Sequence, residues 1–79
     1  MRFTWDPKKI LTNIQRHGIA DAKRIFDGPT VEREDDRFDY GELRIYAIGL
    51  VNGIELTVIY TDLDDETRQL ISAWRAEPA

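Results

Sequence analysis

Alternating apolar and polar positions are clearest in the middle of the chain, where two β-prone runs meet at Asn52-Gly53. Both central residues of a type I′ turn require positive φ, which Asn and Gly adopt at the lowest cost. The pattern therefore predicts a β-hairpin from Leu43 to Tyr60. The segments before and after this hairpin must either cover its sheet or extend it.

Helical spacing predicts two helices before the hairpin. Asp6-Pro7 is a typical helix start, because Asp caps free N–H groups and Pro has no N–H to leave unpaired. The apolar spacing that follows predicts a first helix from Pro7 to His17, which Gly18 ends. A second, shorter helix is predicted from Asp21 to Phe26. Together they form an N-terminal helical hairpin whose apolar side needs a sheet to lie on.

Further strands are predicted on both sides of the hairpin, over Thr30 to Arg33 and over Thr67 to Trp74, while Phe3 to Trp5 is short, aromatic and β-prone. On the last strand, strict alternation places Arg68 and Ser72 on one face. Two helices followed by a small antiparallel sheet form an α+β arrangement. With 79 residues, the chain is expected to form one domain over residues 1–79.

Composition and charge argue against several classes of protein. The formal net charge of −4 argues against a non-specific nucleic-acid binder. No cysteine is present, which excludes disulfides and thiolate metal sites. The sequence has neither a membrane-spanning run nor a signal-like start, so a soluble, cytoplasmic protein is expected.

The sequence lacks the motifs of several kinds of site. There is no phosphate-binding Gly-rich loop, no HExxH pattern and no Ser-His-Asp set. The acidic segment Asp62 to Glu66 lacks the ligand spacing of a calcium loop, so no metal site is expected. His17, the single histidine, is either a general acid or base, or a helix C-terminal residue that favours the dipole and packs on the sheet.

Arginines on two predicted strands suggest phosphate chemistry. Arg44 and Tyr46 share one strand face, and Arg68 and Ser72 are expected to share another. If these faces coincide, the surface suits metal-independent RNA cleavage, in which the ribose 2′-OH is the nucleophile and arginine binds the phosphate. The alternative is that these arginines pair with acidic neighbours, in surface ion pairs that contribute little.

Ordered motifs along nearly the whole chain resemble the BrnT-type toxins of bacterial and archaeal type II toxin–antitoxin systems. The matching segments are F-x-W-D-P-x-K at Phe3 to Lys9, N-I-x-x-H-G-I at Asn13 to Ile19, A-x-x-I-F-D at Ala22 to Asp27, D-x-R-x-D-Y-G-E-x-R at Asp35 to Arg44, Gly49, V-x-Y-T at Val58 to Thr61, and R-x-x-I-S-A at Arg68 to Ala73. Each segment is weak alone, whereas the ordered set is fairly specific.

The resemblance implies a compact ribonuclease fold similar to RelE-like toxins. It also implies RNA cleavage that inhibits translation without a metal or cofactor. The implied partner is an antitoxin of ribbon-helix-helix type, and the toxin contacts DNA only indirectly, through the antitoxin complex.

The residues carried over from the resemblance give the catalytic candidates, which are His17, Arg44, Arg68 and Ser72. The RNA-binding candidates, which do not come from the family motifs, are Tyr46, Trp74 and Arg75. Asp6 and Lys9 are expected to be structural. Our working hypothesis is that Arg68 and Arg44 bind phosphate, while His17 or a carboxylate such as Glu42 transfers protons.

The C-terminus departs from the family pattern, because Trp74 occupies the place of an arginine and the basic terminal helix is missing. Fewer cationic contacts mean weaker RNA binding. An alternative function follows: a catalytically inactive, C-terminally shortened toxin-like protein that binds an antitoxin or other protein partner. Trp74 would then pack on the core or mark a patch that the partner covers.

Overall fold

The computed structural model describes residues 1–5, 19–37, 39 and 41–75. Within these ranges five strands form one sheet, and a short α-helix runs directly into a 3₁₀ helix. The elements in chain order are β1 (Arg2–Trp5), α1 (Ile19–Lys23), the 3₁₀ helix (Arg24–Asp27), β2 (Val31–Glu34), β3 (Ile45–Val51), β4 (Ile54–Asp62) and β5 (Thr67–Arg75). None of the helices in this described part is long and apolar enough to cross a membrane.

The central hairpin forms as the sequence predicts. Asn52 and Gly53 both have positive φ, 53° and 78°. They connect Val51 directly to its partner Ile54, and β3 and β4 stay in register from there to the Ile45–Tyr60 pair. The strands predicted before and after the hairpin are also confirmed, with bounds shifted by one residue.

The sheet is mixed, so the prediction of a purely antiparallel sheet is wrong. Its strand order is β1-β5-β4-β3-β2, and β1 runs parallel to β5 with Arg2 opposite Thr67. The other neighbouring strands are antiparallel. Side-chain alternation has the same period in both kinds of pairing. The local pattern of Phe3 to Trp5 therefore could not identify its partner, which lies more than 60 residues away in sequence.

The predicted N-terminal helical hairpin is a second correction. In the described part of the chain, helical structure is confined to Ile19–Lys23 and the 3₁₀ helix Arg24–Asp27, so no helical hairpin is seen. The first predicted helix, Pro7 to His17, lies outside the described residues. The second predicted helix, Asp21 to Phe26, falls within these two helical segments, which end before Pro29 because proline disfavours helical geometry in the residue before it. The result is a small α+β fold dominated by its five-stranded sheet.

One side of the sheet, here called the helix face, carries the apolar core. Ile25 of the 3₁₀ helix is fully buried there against a cluster that includes Val58 and Leu70. Gly49 on β3 allows this close packing, because a Cβ atom at that position would lie 2.9 Å from the Cβ of Ile25. The helical segment can therefore approach the sheet closely.

A register shift in β5 divides its residues between the two faces differently from the prediction. Ile59 pairs with Ser72, whereas the next residue, Tyr60, pairs with Leu70. Ile71 is thus an extra residue, and such a bulge reverses the alternation beyond it. Leu70 and Arg68 lie on the helix face, while Ser72 lies on the opposite side, here called the far face.

Candidate functional site

Arg68 lies near the start of β5, on the helix face, opposite Asp62 of β4. Its Nε lies 2.8 Å from Asp62 Oδ1, and its Nη2 lies 3.3 Å from Asp62 Oδ2. This two-point contact fixes the plane of the guanidinium group. The side chain is only 16% exposed, although Asp62 itself is about half exposed. The strand pairing thus holds a mostly buried cation in a defined orientation.

Aromatic rings complete the environment of this cation. The Arg68 guanidinium carbon lies 3.9 Å from the centre of the Tyr60 ring and 4.8 Å from that of Phe26. Phe26 meets Tyr60 edge to face at 5.3 Å and stacks on Phe3 at 5.6 Å. The electron-rich ring faces attract the cation. Burial alone would lower the pKa of Arg68, but the hydrogen bond to Asp62 and the nearby anions outweigh it and raise that pKa.

Tyr60 connects Arg68 to a carboxylate on another strand. Its hydroxyl donates a short hydrogen bond to Oε1 of Glu32, on β2. Glu32 stands opposite Ala47 on the intervening β3, and this small residue leaves room for the contact. Burial raises the pKa of Tyr60 well above its usual range, and the hydrogen bond to Glu32 raises it further. Tyr60 therefore stays protonated and acts as a donor.

Arg68 and Glu32 open into the same concavity, of about 450 Å³. Phe26 lines it as well. We call these three residues, together with Asp62 and Tyr60, which contact Arg68, the Arg68 cluster. Thr30 and Asp27 also line the space. A guanidinium group has five N–H donors, of which Asp62 takes two. The cluster therefore offers further donors to an anion beside a carboxylate that can accept a proton.

The far face carries other candidates from the sequence. Tyr46 and Trp74 are in edge-to-face contact, with ring centres 5.9 Å apart. Ser72 is buried, and its hydroxyl has no hydrogen-bond partner among the residues that the structure describes. Arg44 lies just before β3 and binds Glu42, with its Nη2 3.2 Å from Oε1. Arg75 is exposed at the end of β5.

These positions separate the predicted catalytic residues. Arg68 belongs to the helix face, whereas Ser72 belongs to the far face, because the bulge at Ile71 reverses the alternation. The prediction that Arg68 and Ser72 share a face is therefore wrong. Alternation with Tyr46 carries Arg44 to the far face as well. His17, Asp6 and Lys9 lie outside the described residues, and the role of His17 stays a prediction.

A second concavity, of about 550 Å³, lies on the far face beside Tyr46 and Ile48. Its charged lining includes Asp35, which is buried, and Arg37, which binds it through Nε at 2.8 Å and Nη2 at 3.0 Å. This pair is close in sequence and orders the chain between β2 and β3. We regard the charges of Asp35 and Arg37 as structural, because they neutralise each other.

Glu32, Tyr60 and Phe26 were missed as members of a site. The hairpin pattern did place Tyr60 on the same face as Val58. Glu32 and Arg68 are brought to that ring by the registers of β2 against β3 and of β5 against β4. No local sequence pattern indicates these registers. In the described part of the chain, no three His, Cys, Asp or Glu side chains are placed to share a metal ion.

Comparison with known proteins identifies the family. A family model described as "Ribonuclease toxin, BrnT, of type II toxin-antitoxin system" matches residues 5–79. The 1.1 Å crystal structure of the Brucella abortus ribonuclease toxin BrnT is similar, with 30% sequence identity and a TM-score of 0.63. That alignment covers 99% of this chain and 99% of the Brucella chain. No protein with curated annotation matches. The match over almost the whole sequence shows that the chain belongs to the BrnT family of ribonuclease toxins of type II toxin–antitoxin systems.

Proposed function

We propose that this toxin is a metal-independent endoribonuclease that inhibits translation by cutting RNA, and that Arg68 binds the scissile phosphate. The observation that carries the proposal is the position of Arg68: its side chain is mostly buried, is fixed by Asp62, and lines a concavity of about 450 Å³. A fixed cation in a partly desolvated site stabilises developing negative charge more strongly than a mobile one in water.

The reaction needs only groups that a protein and RNA can supply. The ribose 2′-OH loses its proton to a base, and its oxygen attacks the adjacent phosphorus. The bond from phosphorus to the 5′ oxygen breaks, and that oxygen takes up a proton. The products are a 2′,3′-cyclic phosphate and a 5′-hydroxyl end. Arg68 neutralises the charge that accumulates on the phosphate oxygens between these states.

Membership of a type II toxin–antitoxin family implies a cognate antitoxin. We propose that the antitoxin is of ribbon-helix-helix type and neutralises the toxin by binding it. The net charge of −4 supports a division of labour in which the antitoxin, not this chain, contacts DNA. The proposed site of action is the cytoplasm, where messenger RNA is translated.

A cleavage assay tests the ribonuclease proposal. The purified chain is incubated with a single-stranded RNA oligonucleotide in EDTA, beside Arg68→Ala and Arg68→Lys variants. We expect cyclic-phosphate products from the wild type. We expect a loss of about 100-fold or more in rate for Arg68→Ala, the usual effect of removing a transition-state donor. Arg68→Lys should recover only part of the rate, because lysine lacks the two-point geometry.

Arg24→Ala is the matched control, because Arg24 is an exposed arginine on the 3₁₀ helix that contacts Asn52 at 3.3 Å. It should cleave at the wild-type rate. Circular dichroism must show that all variants are folded. A folded wild-type protein that leaves RNA intact would contradict the proposal, as would an Arg68→Ala variant that cleaves normally.

A non-catalytic, antitoxin-binding protein is the second candidate function. It is favoured by the pairing of both candidate arginines with carboxylates, Arg68 with Asp62 and Arg44 with Glu42. The same assay separates the two functions. If the folded wild type leaves RNA intact and its induction in bacteria does not arrest growth, antitoxin binding without catalysis is the better description.

A further inference from the structure

We propose that Glu32 is the general base that removes the 2′-OH proton during RNA cleavage at the Arg68 cluster. This inference rests on the proposed ribonuclease function and assigns its proton-transfer step. A general base must lie within hydrogen-bond reach of the proton while the phosphate is held by its own ligand. Glu32 meets the spatial requirement, because it lines the same concavity as Arg68.

The rigid side chain of Tyr60 alone connects Arg68 to Glu32. The Tyr60 ring lies 3.9 Å from the Arg68 guanidinium carbon, and its hydroxyl binds Oε1 of Glu32. One phenol ring thus sets the position of the carboxylate relative to the cation. A carboxylate has about four acceptor positions, so the hydrogen bond from Tyr60 orients Glu32 without exhausting its capacity to accept a proton.

Other carboxylates are less well placed for this role. Asp62 binds the Arg68 guanidinium through both of its oxygens, which suits it to positioning the cation. Glu42 binds Arg44, which alternation carries to the far face. Among the described residues that line the concavity, Asp27 is the other carboxylate, and it is exposed at the end of the 3₁₀ helix. Asp27→Asn tests this alternative, and a larger loss of kcat there than in Glu32→Gln would overturn the assignment of Glu32.

In the described part of the chain, charged and titratable groups near Glu32 come from three elements and from the N-terminus. Tyr60 and Asp62 lie on β4, Arg68 lies on β5, Asp27 ends the 3₁₀ helix, and Met1, which carries the N-terminal amino group, lines the same concavity. The neighbouring β3 presents Ala47, which does not titrate. Tyr60 and Arg68 keep their protons throughout the working pH range, because the pKa values of both are raised. A fall in cleavage rate at acid pH would then report another group, and its loss in Glu32→Gln would identify that group as Glu32.

The test measures kcat, KM and the pH–rate profile of Glu32→Gln, Asp27→Asn and Tyr60→Phe on the same RNA oligonucleotide. Glu32→Gln keeps the shape and can still accept the hydrogen bond from Tyr60. We expect kcat to fall about 10²- to 10⁴-fold, the usual contribution of a general base. KM should stay within about threefold, and the acid limb of the profile should disappear. Glu55→Gln, at an exposed position of β4 outside the concavity, is the matched control and should behave as wild type.

Two further variants distinguish a catalytic role of Glu32 from a structural one. Tyr60→Phe removes the hydrogen bond that orients Glu32, so kcat should fall while KM stays within about threefold of wild type. Glu32→Asp restores a base on a shorter stem and should recover part of the kcat that Glu32→Gln loses. Recovery of kcat by this conservative variant, with stability unchanged, distinguishes a base from a residue with only a structural role.

Each outcome decides between the hypotheses. A wild type that cleaves RNA, together with an equally active Glu32→Gln, overturns the assignment of Glu32 and leaves the ribonuclease function intact. A Glu32→Gln variant with reduced kcat but an unchanged acid limb also overturns it, because the base is then another group. A folded wild type that does not cleave RNA overturns the proposed function, and the assignment of Glu32 fails with it.

Discussion

The two faces of the sheet differ in how their buried polar groups are paired. Among the described residues, the buried core cluster of the helix face is hydrocarbon except for Tyr60, whose hydroxyl binds Glu32. In the same part of the chain, the far face buries the hydroxyl-bearing residues Thr57, Thr61 and Ser72. Thr61 donates to the carbonyl of Leu43 at 2.6 Å, whereas the Ser72 hydroxyl has no partner in the described part of the chain.

The helix face combines close packing with a polar cluster in which each contact is directional, as expected of a site that must hold its geometry. At the margins of the far face, the large apolar side chains of Val31 and Leu50 are exposed. Substitutions on the two faces should therefore have unequal effects.

The largest expected difference is between Ile25→Ala and Leu50→Ala. Ile25 is fully buried between the 3₁₀ helix and the sheet, whereas Leu50 is 64% exposed on β3. Ile25→Ala should lower the free energy of unfolding by about 2–5 kcal/mol, because it leaves a cavity in the core. Leu50→Ala should change it by about 0.5 kcal/mol or less. Urea unfolding followed by circular dichroism measures both. Equal losses would contradict the burial of Ile25 in the core.

Close approach of the 3₁₀ helix to β3 gives a second, smaller difference. A Cβ atom at Gly49 would lie 2.9 Å from Ile25 Cβ and 3.3 Å from its carbonyl oxygen. Gly49→Ala should therefore cost about 1–3 kcal/mol through overpacking. Gly28→Ala is the control, because a Cβ there meets nothing within 4 Å. Thermal unfolding of the two variants compares them directly, and a Gly49→Ala protein as stable as Gly28→Ala would mean that the helix shifts at no cost.

Sequence reasoning succeeded where the structure depends on neighbouring residues. The hairpin was predictable because Asn52 and Gly53 adopt a backbone conformation that few other residues tolerate, and because its strands are joined directly. The short helical segment before Gly28 and the strand that carries Arg68 were also predictable from local pattern. These elements made Arg68 identifiable as a candidate site residue.

The composition of the site could not be obtained in the same way. Glu32 reaches Tyr60 only through the register of β2 against β3, and the extra residue Ile71 moves Ser72 to the other face from Arg68. The partner of β1 lies at the far end of the chain. Each of these features depends on pairing between distant segments, and a one-residue change in register reverses which side chains meet.

Ser72→Ala gives the smallest expected effect and tests the comparison most directly, because the sequence alone made Ser72 a catalytic candidate. A buried hydroxyl without a partner has lost its hydration with no hydrogen bond in return. Removing it should change the free energy of unfolding by about 0.5 kcal/mol or less, in either direction, whereas Thr61→Ala should cost about 1–2 kcal/mol because its hydrogen bond to Leu43 is lost. RNA cleavage by Ser72→Ala should stay within about threefold of wild type, since the bulge at Ile71 holds Ser72 on the far face. A loss of cleavage as large as that of Arg68→Ala, in a protein of unchanged stability, would show that groups on both faces act in one reaction, and the division between the faces would have to be abandoned.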